Sequence, residues 1–110
     1  MSEENVREHR RVHVVWRAVF RPKDSKVICR GKTTDLSYPG VAAYFESQLM
    51  AGQQGTLFLE MATPGRPKVC IEIESVIVYS TLVGHINAFR TGVKFKGSNA
   101  EYDAILRKLM

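Results

Sequence analysis

The sequence predicts a mostly β domain: a six-stranded antiparallel β-barrel followed by one C-terminal amphipathic α-helix. Apolar and polar residues alternate with period two over most of the chain, which is typical of half-buried strands. Short segments rich in Pro, Gly, Asp and Ser separate these stretches, and near the C-terminus the period changes to that of a helix. A small barrel covered by the helix buries both kinds of apolar face.

The chain has 110 residues, a net charge of +5 and 45% hydrophobic residues, which fits one globular domain with a single core. Its apolar runs are far shorter than the roughly 20 residues of a membrane span. The first five residues are acidic and contain no apolar segment, so we expect no signal peptide and a cytoplasmic protein.

Three strands are expected in the first half of the chain, over residues 12–20, 27–36 and 40–45. The first alternates its apolar residues at Val12, Val14, Trp16, Ala18 and Phe20. The turn at residues 22–25 is short enough to make the first two strands an antiparallel hairpin.

Three further strands are expected over residues 56–61, 68–80 and 87–95. The alternation of the fifth strand breaks at residues 76–78, which indicates a bulge or a bend at a barrel corner. Ser98 and Glu101 have the spacing of a capping box. The helix that follows should bury a stripe formed by Tyr102, Ile105, Leu106 and Leu109.

Composition and spacing give little support for metal binding or catalysis. Cys29 and Cys70 are isolated thiols, which we expect to be reduced and half-buried. The three histidines are scattered, and no nucleophile–base pair or glycine-rich phosphate loop is present. We therefore expect a binding protein and not an enzyme, with no cofactor and no metal.

The basic charge leaves the kind of partner open. Residues 17–32 carry six positive side chains and one negative side chain. Such a stretch suits nucleic acid, an acidic protein or a membrane surface, and it equally suits a solvated strand edge guarded against aggregation. Few aromatic residues are available for base stacking, which disfavours long nucleic acid.

A cluster of three arginines, Arg7, Arg10 and Arg11, precedes the first strand. Residues 1–11 have no apolar period, so we expect a mobile N-terminal arm, followed by a barrel domain over residues 12–110. Guanidinium groups make planar bidentate contacts with phosphate and with guanine O6 and N7. A solvated basic arm would have the same composition.

A second motif, D-x-S-x-x-G, links the second and third strands through Asp35, Ser37 and Gly40. A turn alone explains these residues, because Asp and Ser bond nearby backbone groups and Gly40 would permit a positive φ. As a binding motif, Asp35 would accept hydrogen bonds from guanine N1 and N2, and Ser37 would bond the same edge or a phosphate.

Together with Gly92-Val93-Lys94-Phe95 before the helix, the R-x-x-x-R and D-x-S-x-x-G motifs resemble the PilZ domain family over residues 6–109. The resemblance implies a six-stranded barrel that binds the bacterial second messenger cyclic di-GMP. It assigns phosphates and guanine Hoogsteen edges to Arg7 and Arg11, and the other side of a guanine to Asp35 and Ser37. Gly40 would shape the turn, and Arg10 is an added candidate. The Tyr38-Pro39 pair is bulkier than this motif leads one to expect.

The resemblance predicts a receptor whose arm closes on the ligand and which signals to an unidentified downstream effector protein. The alternative is a ligand-independent adaptor in pilus or motility machinery. Retention of both binding motifs favours the receptor.

Overall fold

The computed structural model of the chain describes residues 10–110. Six strands and one α-helix form in the order β1 Arg17–Pro22, β2 Cys29–Ser37, β3 Gly40–Phe45, β4 Gln54–Met61, β5 Val69–Val83, β6 Ala88–Phe95 and α1 Ala100–Leu109. A short 3-10 turn, Gly84–Ile86, joins β5 to β6. The strands close into an antiparallel barrel in the order β1-β2-β3-β6-β5-β4. The predicted barrel and C-terminal helix are confirmed.

The first strand begins later than predicted. Val12 makes only an isolated bridge to Leu36, in which its N–H donates to the Leu36 carbonyl at 2.9 Å. Between this bridge and β1, the Thr33 hydroxyl accepts from the Trp16 N–H at 2.8 Å and donates to the Val14 carbonyl at 2.6 Å. On its other side, the pairing of β2 with β3 shifts register between Thr33 and Asp35. The Thr33 side-chain hydrogen bonds stand where ladder bonds would form, so β1 starts at Arg17 and not at residue 12.

The predicted irregularity in β5 is present as a register shift between Ile77 and Tyr79. Ile77 is buried in the core, whereas the next two residues, Val78 and Tyr79, are both exposed. A regular strand would send one of these two side chains inward. The bulge therefore turns Tyr79 to the outside of the barrel.

Helix α1 packs on the barrel through the predicted stripe. Tyr102 and Leu106 are buried, and Ile105 and Leu109 pack against the core as partly buried residues. The capping-box prediction is wrong, because the N-cap is Asn99, whose side chain accepts from the Tyr102 N–H at 3.0 Å. Asn is a strong N-cap residue and here replaces the predicted serine.

The two cysteines are free and differ in their surroundings. Cys29 is buried and Cys70 is exposed, so neither is half-buried as expected. Burial raises the pKa of the Cys29 thiol. Among residues 10–110, no helix has the length and apolar composition needed to cross a membrane.

Candidate functional site

The D-x-S-x-x-G motif forms the tight connection between β2 and β3. The Ser37 hydroxyl donates to the Gly40 carbonyl at 3.1 Å and closes the turn. The Tyr102 hydroxyl, from α1, donates to the Ser37 carbonyl at 2.6 Å. Burial raises the pKa of Tyr102 above its ordinary value, because ionisation would place a charge inside the protein. The turn is therefore fixed by its own serine and by the C-terminal helix.

Gly40 serves a different purpose from the one predicted. Within residues 10–110, the glycines with a positive φ are Gly52 and Gly65. A Cβ atom on Gly40 would lie 2.0 Å from the carbonyl oxygen of Val93 on β6. Glycine is thus required for the close approach of two strands, and the expectation of a positive φ is wrong.

Asp35 lies on the outer face of the barrel, beside the core residue Leu36. Its side chain is only 8% exposed. One carboxylate oxygen, Oδ1, accepts from the Thr34 hydroxyl at 3.2 Å. The other oxygen, Oδ2, lies 3.5 Å from Nη1 of Arg11 and 4.0 Å from Nη2 of Arg90. Two guanidinium groups therefore meet at one recessed carboxylate.

The end of the predicted arm reaches this carboxylate. The bridge between Val12 and Leu36 holds the chain beside β2, one residue after Arg11. The Arg11 side chain remains 58% exposed, and Arg10 is also exposed. Arg7 and the rest of the predicted arm lie outside the described residues. The structure thus brings Arg11, Asp35 and the turn formed by Ser37 and Gly40 to one side of the barrel.

Arg90 is the second arginine beside the Asp35 carboxylate, and it is not among the site residues predicted from the sequence. It lies opposite Tyr44 in the pairing of β6 with β3, and its guanidinium carbon lies 5.9 Å from the centroid of the Tyr44 ring. Partial burial lowers the pKa of Arg90, but the neighbouring Tyr79 and Tyr44 side chains and the charge of Asp35 outweigh this and raise it. The guanidinium is therefore firmly cationic. Alternation along β6 places Arg90 on the outer face, but no local signal connects it with Asp35.

The arrangement combines two functions that a polar ligand can use. The carboxylate of Asp35 accepts hydrogen bonds from paired N–H donors, and the guanidiniums of Arg11 and Arg90 bind anions or carbonyl oxygens. The carboxylate is recessed while both arginines remain partly exposed. A ligand with an N–H edge and negative charge therefore matches the site.

No protein-family model matches the sequence, and no curated protein matches it. Among the solved structures that share the fold are a PilZ domain and an inhibitor of motility. The PilZ domain of YcgR from Escherichia coli, solved with c-di-GMP, superposes with a TM-score of 0.68 at 15% identity, over 92% of this chain and 86% of that domain. The inhibitor of motility MotI/DgrA from Bacillus subtilis superposes with a TM-score of 0.73 at 15% identity, over 90% of this chain. This chain spans 46% of the inhibitor's length. The closed six-stranded barrel with its C-terminal helix is therefore a PilZ-like fold.

Proposed function

We propose that the chain is a receptor for cyclic di-GMP and binds this dinucleotide at Asp35. The observation that carries the proposal is the meeting of Arg11 with the recessed carboxylate of Asp35 at 3.5 Å. Cyclic di-GMP has two phosphates and two guanines, so it needs cations and paired hydrogen-bond acceptors in one place. The PilZ domain of similar fold, solved with c-di-GMP, adds support at the level of the fold.

In the proposed complex, Asp35 accepts from N1 and N2 of one guanine. The Ser37 hydroxyl donates its proton to Gly40, so it offers lone pairs to the ligand and suits an N–H group better than a phosphate. Arg7 and Arg11 bind phosphates and guanine Hoogsteen edges, with Arg10 as an added phosphate contact. Arg11 leaves the carboxylate when the base arrives.

The proposed signal is the ordering of the arm on the ligand. The bridge of Val12 to Leu36 is the fixed point from which the arm closes. The reshaped surface then binds a downstream effector protein in the cytoplasm. A binding protein passes on its signal through such a contact, because ligand binding changes its conformation and not a substrate.

A second candidate function is a ligand-independent adaptor in motility or pilus machinery. Two observations favour it: Arg11 and Arg90 already balance the charge of Asp35, and a protein named an inhibitor of motility shares the fold. It predicts a tight protein partner and no heat of binding with the dinucleotide.

Isothermal titration calorimetry with cyclic di-GMP separates the two functions. The receptor predicts saturable binding by the wild type and a loss of affinity of about fivefold to 150-fold in Arg11→Ala and in Asp35→Ala, since a bidentate contact contributes about 1–3 kcal/mol. Arg66→Ala is the matched control, because Arg66 is an exposed arginine in the turn between β4 and β5. A flat wild-type titration, or wild-type affinity in both site variants, contradicts the proposal.

A further inference from the structure

Arg90 lies beside aromatic side chains from both neighbouring strands. Tyr44, on β3, lies opposite Arg90 and presents its ring to the guanidinium. Tyr79, on β5, is turned outward by the bulge and pairs with Gly92. A Cβ atom on Gly92 would lie 2.3 Å from the Tyr79 ring, so this ring lies directly on the backbone of β6. The Tyr44 ring, 5.9 Å from the guanidinium carbon, and the neighbouring Tyr79 side chain thus lie around the cation before any ligand arrives.

Arg90 lies close to Asp35 without donating a hydrogen bond to its carboxylate, so N–H groups of Arg90 remain available to a ligand there. The separation of 4.0 Å between Nη2 and Oδ2 is an ion-pair distance and is too long for a hydrogen bond. The Arg90 side chain is 37% exposed, so a ligand can reach it. A base bound to Asp35 would thus lie beside N–H groups that the carboxylate does not use.

The hydrogen-bonding edge of guanine matches this pair of side chains. It presents O6, N1–H and N2–H2 in a row: one acceptor followed by two donor groups. When a carboxylate accepts hydrogen bonds from N1 and N2 of guanine, the O6 atom lies next to that carboxylate. A neighbouring guanidinium can then donate a hydrogen bond to O6. Adenine presents N6–H2 in the place of O6 and an unprotonated N1, so both positions would be mismatched.

We infer that Arg90 is a base-reading residue of this site, which donates to O6 of the guanine held by Asp35 and makes the site select guanine over adenine. The inference rests on the proposed function. The inference gives the two arginines beside the Asp35 carboxylate different ligand contacts. Arg11 belongs to the proposed arm and moves to the phosphates, whereas Arg90 is fixed in β6 and stays beside Asp35.

The test compares wild type, Arg90→Ala and the control Arg66→Ala by calorimetry with cyclic di-GMP, and by competition with cyclic di-AMP. We expect Arg90→Ala to lose at least about fivefold in affinity for cyclic di-GMP. Its affinity for cyclic di-AMP should not fall. Thermal unfolding of each variant establishes that it is folded.

Infrared difference spectroscopy of bound cyclic di-GMP measures the C6=O stretching frequency of guanine. This frequency would not change if Arg90 only stabilised the fold. A hydrogen bond to O6 lowers the C6=O stretching frequency, so this band should rise in Arg90→Ala and stay unchanged in Arg66→Ala. Cyclic di-GMP affinity within about twofold of wild type, or an unchanged band, would overturn the role of Arg90 alone. A wild-type protein that does not bind cyclic di-GMP would overturn the proposed function and this inference together.

Discussion

Two glycines on neighbouring strands allow the candidate site to form, each because it lacks a side chain. Gly40 lets β3 approach the Val93 carbonyl of β6. Gly92 lets the Tyr79 ring lie on the backbone of β6, two residues after Arg90. The first contact is with backbone, which cannot move aside, and the second is with a side chain. Substitution at Gly40 should therefore be the more damaging to stability.

We predict that Gly40→Ala destabilises the fold by about 1–3 kcal/mol or more, because the new methyl group overlaps the Val93 carbonyl. Urea unfolding at constant m-value measures the change. Gly97→Ala is the matched control, since a Cβ atom there meets nothing within 4 Å. Equal midpoints for the two variants would show that the close approach does not constrain the turn.

At this scale the sequence reveals the motif residues but not their neighbours. Asp35, Ser37 and Gly40 lie within six positions, so turn chemistry alone indicates that they are close. Arg90 is far away along the chain and reaches Asp35 only through the pairing of β2 with β3 and of β3 with β6. Predicting that contact requires the register, which a single sequence does not specify at these positions.

At the scale of elements, α1 is tied to the β2–β3 turn as well as to the core. Tyr102 packs edge-to-face on Phe95, with ring centroids 5.0 Å apart, and its hydroxyl reaches the Ser37 carbonyl. The same hydroxyl lies 3.4 Å from the Gly40 carbonyl. One side chain thus joins the helix, the last strand and the D-x-S-x-x-G turn.

We predict that Tyr102→Phe lowers the free energy of unfolding by about 1–3 kcal/mol, because the Ser37 carbonyl loses its buried phenol donor. The raised pKa of Tyr102 adds a pH signature. The folded state holds the phenol proton more tightly than the unfolded state, so the contribution is complete below the ordinary pKa of 10.0 and is lost as the pH rises above it. The stability difference between wild type and Tyr102→Phe should therefore shrink above about pH 10.

Urea unfolding from pH 7 to pH 11 checks both parts of this prediction. Tyr38→Phe is the matched control, because Tyr38 lies in the same turn and is exposed. If the difference in free energy of unfolding between wild type and Tyr102→Phe stays constant across this range, the pKa of Tyr102 is not raised by folding.

Element type was predictable because the periods differ clearly, and β3 has the predicted bounds. The start of β1 was not predictable. Residues from Val12 to Trp16 do alternate, but the hydroxyl of Thr33 takes up hydrogen bonds that a regular ladder would use. The alternation of apolar and polar residues indicates which face of a segment is buried. It does not indicate which backbone groups form hydrogen bonds.

At the scale of the whole molecule, closure of the barrel separates an inner face from an outer one. Cys29 points to the inside and packs with the core, whereas Cys70 on β5 is exposed. The chain is thus expected to contain one accessible thiol and one protected thiol. The candidate site uses neither of them.

We predict that the native protein shows one fast-reacting thiol with Ellman's reagent at pH 8 and a second that reacts only on unfolding. Cys29 is slow because burial shields it and raises its thiol pKa, which leaves less thiolate. Cys70→Ser should remove the fast phase, and Cys29→Ser should keep it. Two fast thiols in the native protein would contradict the buried position of Cys29.

Leu36 and Ser37 are consecutive residues, and each is hydrogen-bonded to a segment near a different end of the described chain. The backbone of Leu36 holds Val12, and the carbonyl of Ser37 holds Tyr102. Adjacent Cα atoms are about 3.8 Å apart, so only one peptide unit separates the two attachments. The segment before β1 is therefore connected to the C-terminal helix through hydrogen bonds at each end of one peptide unit, so in the proposed receptor the outer surface of that helix is the first candidate for the effector contact.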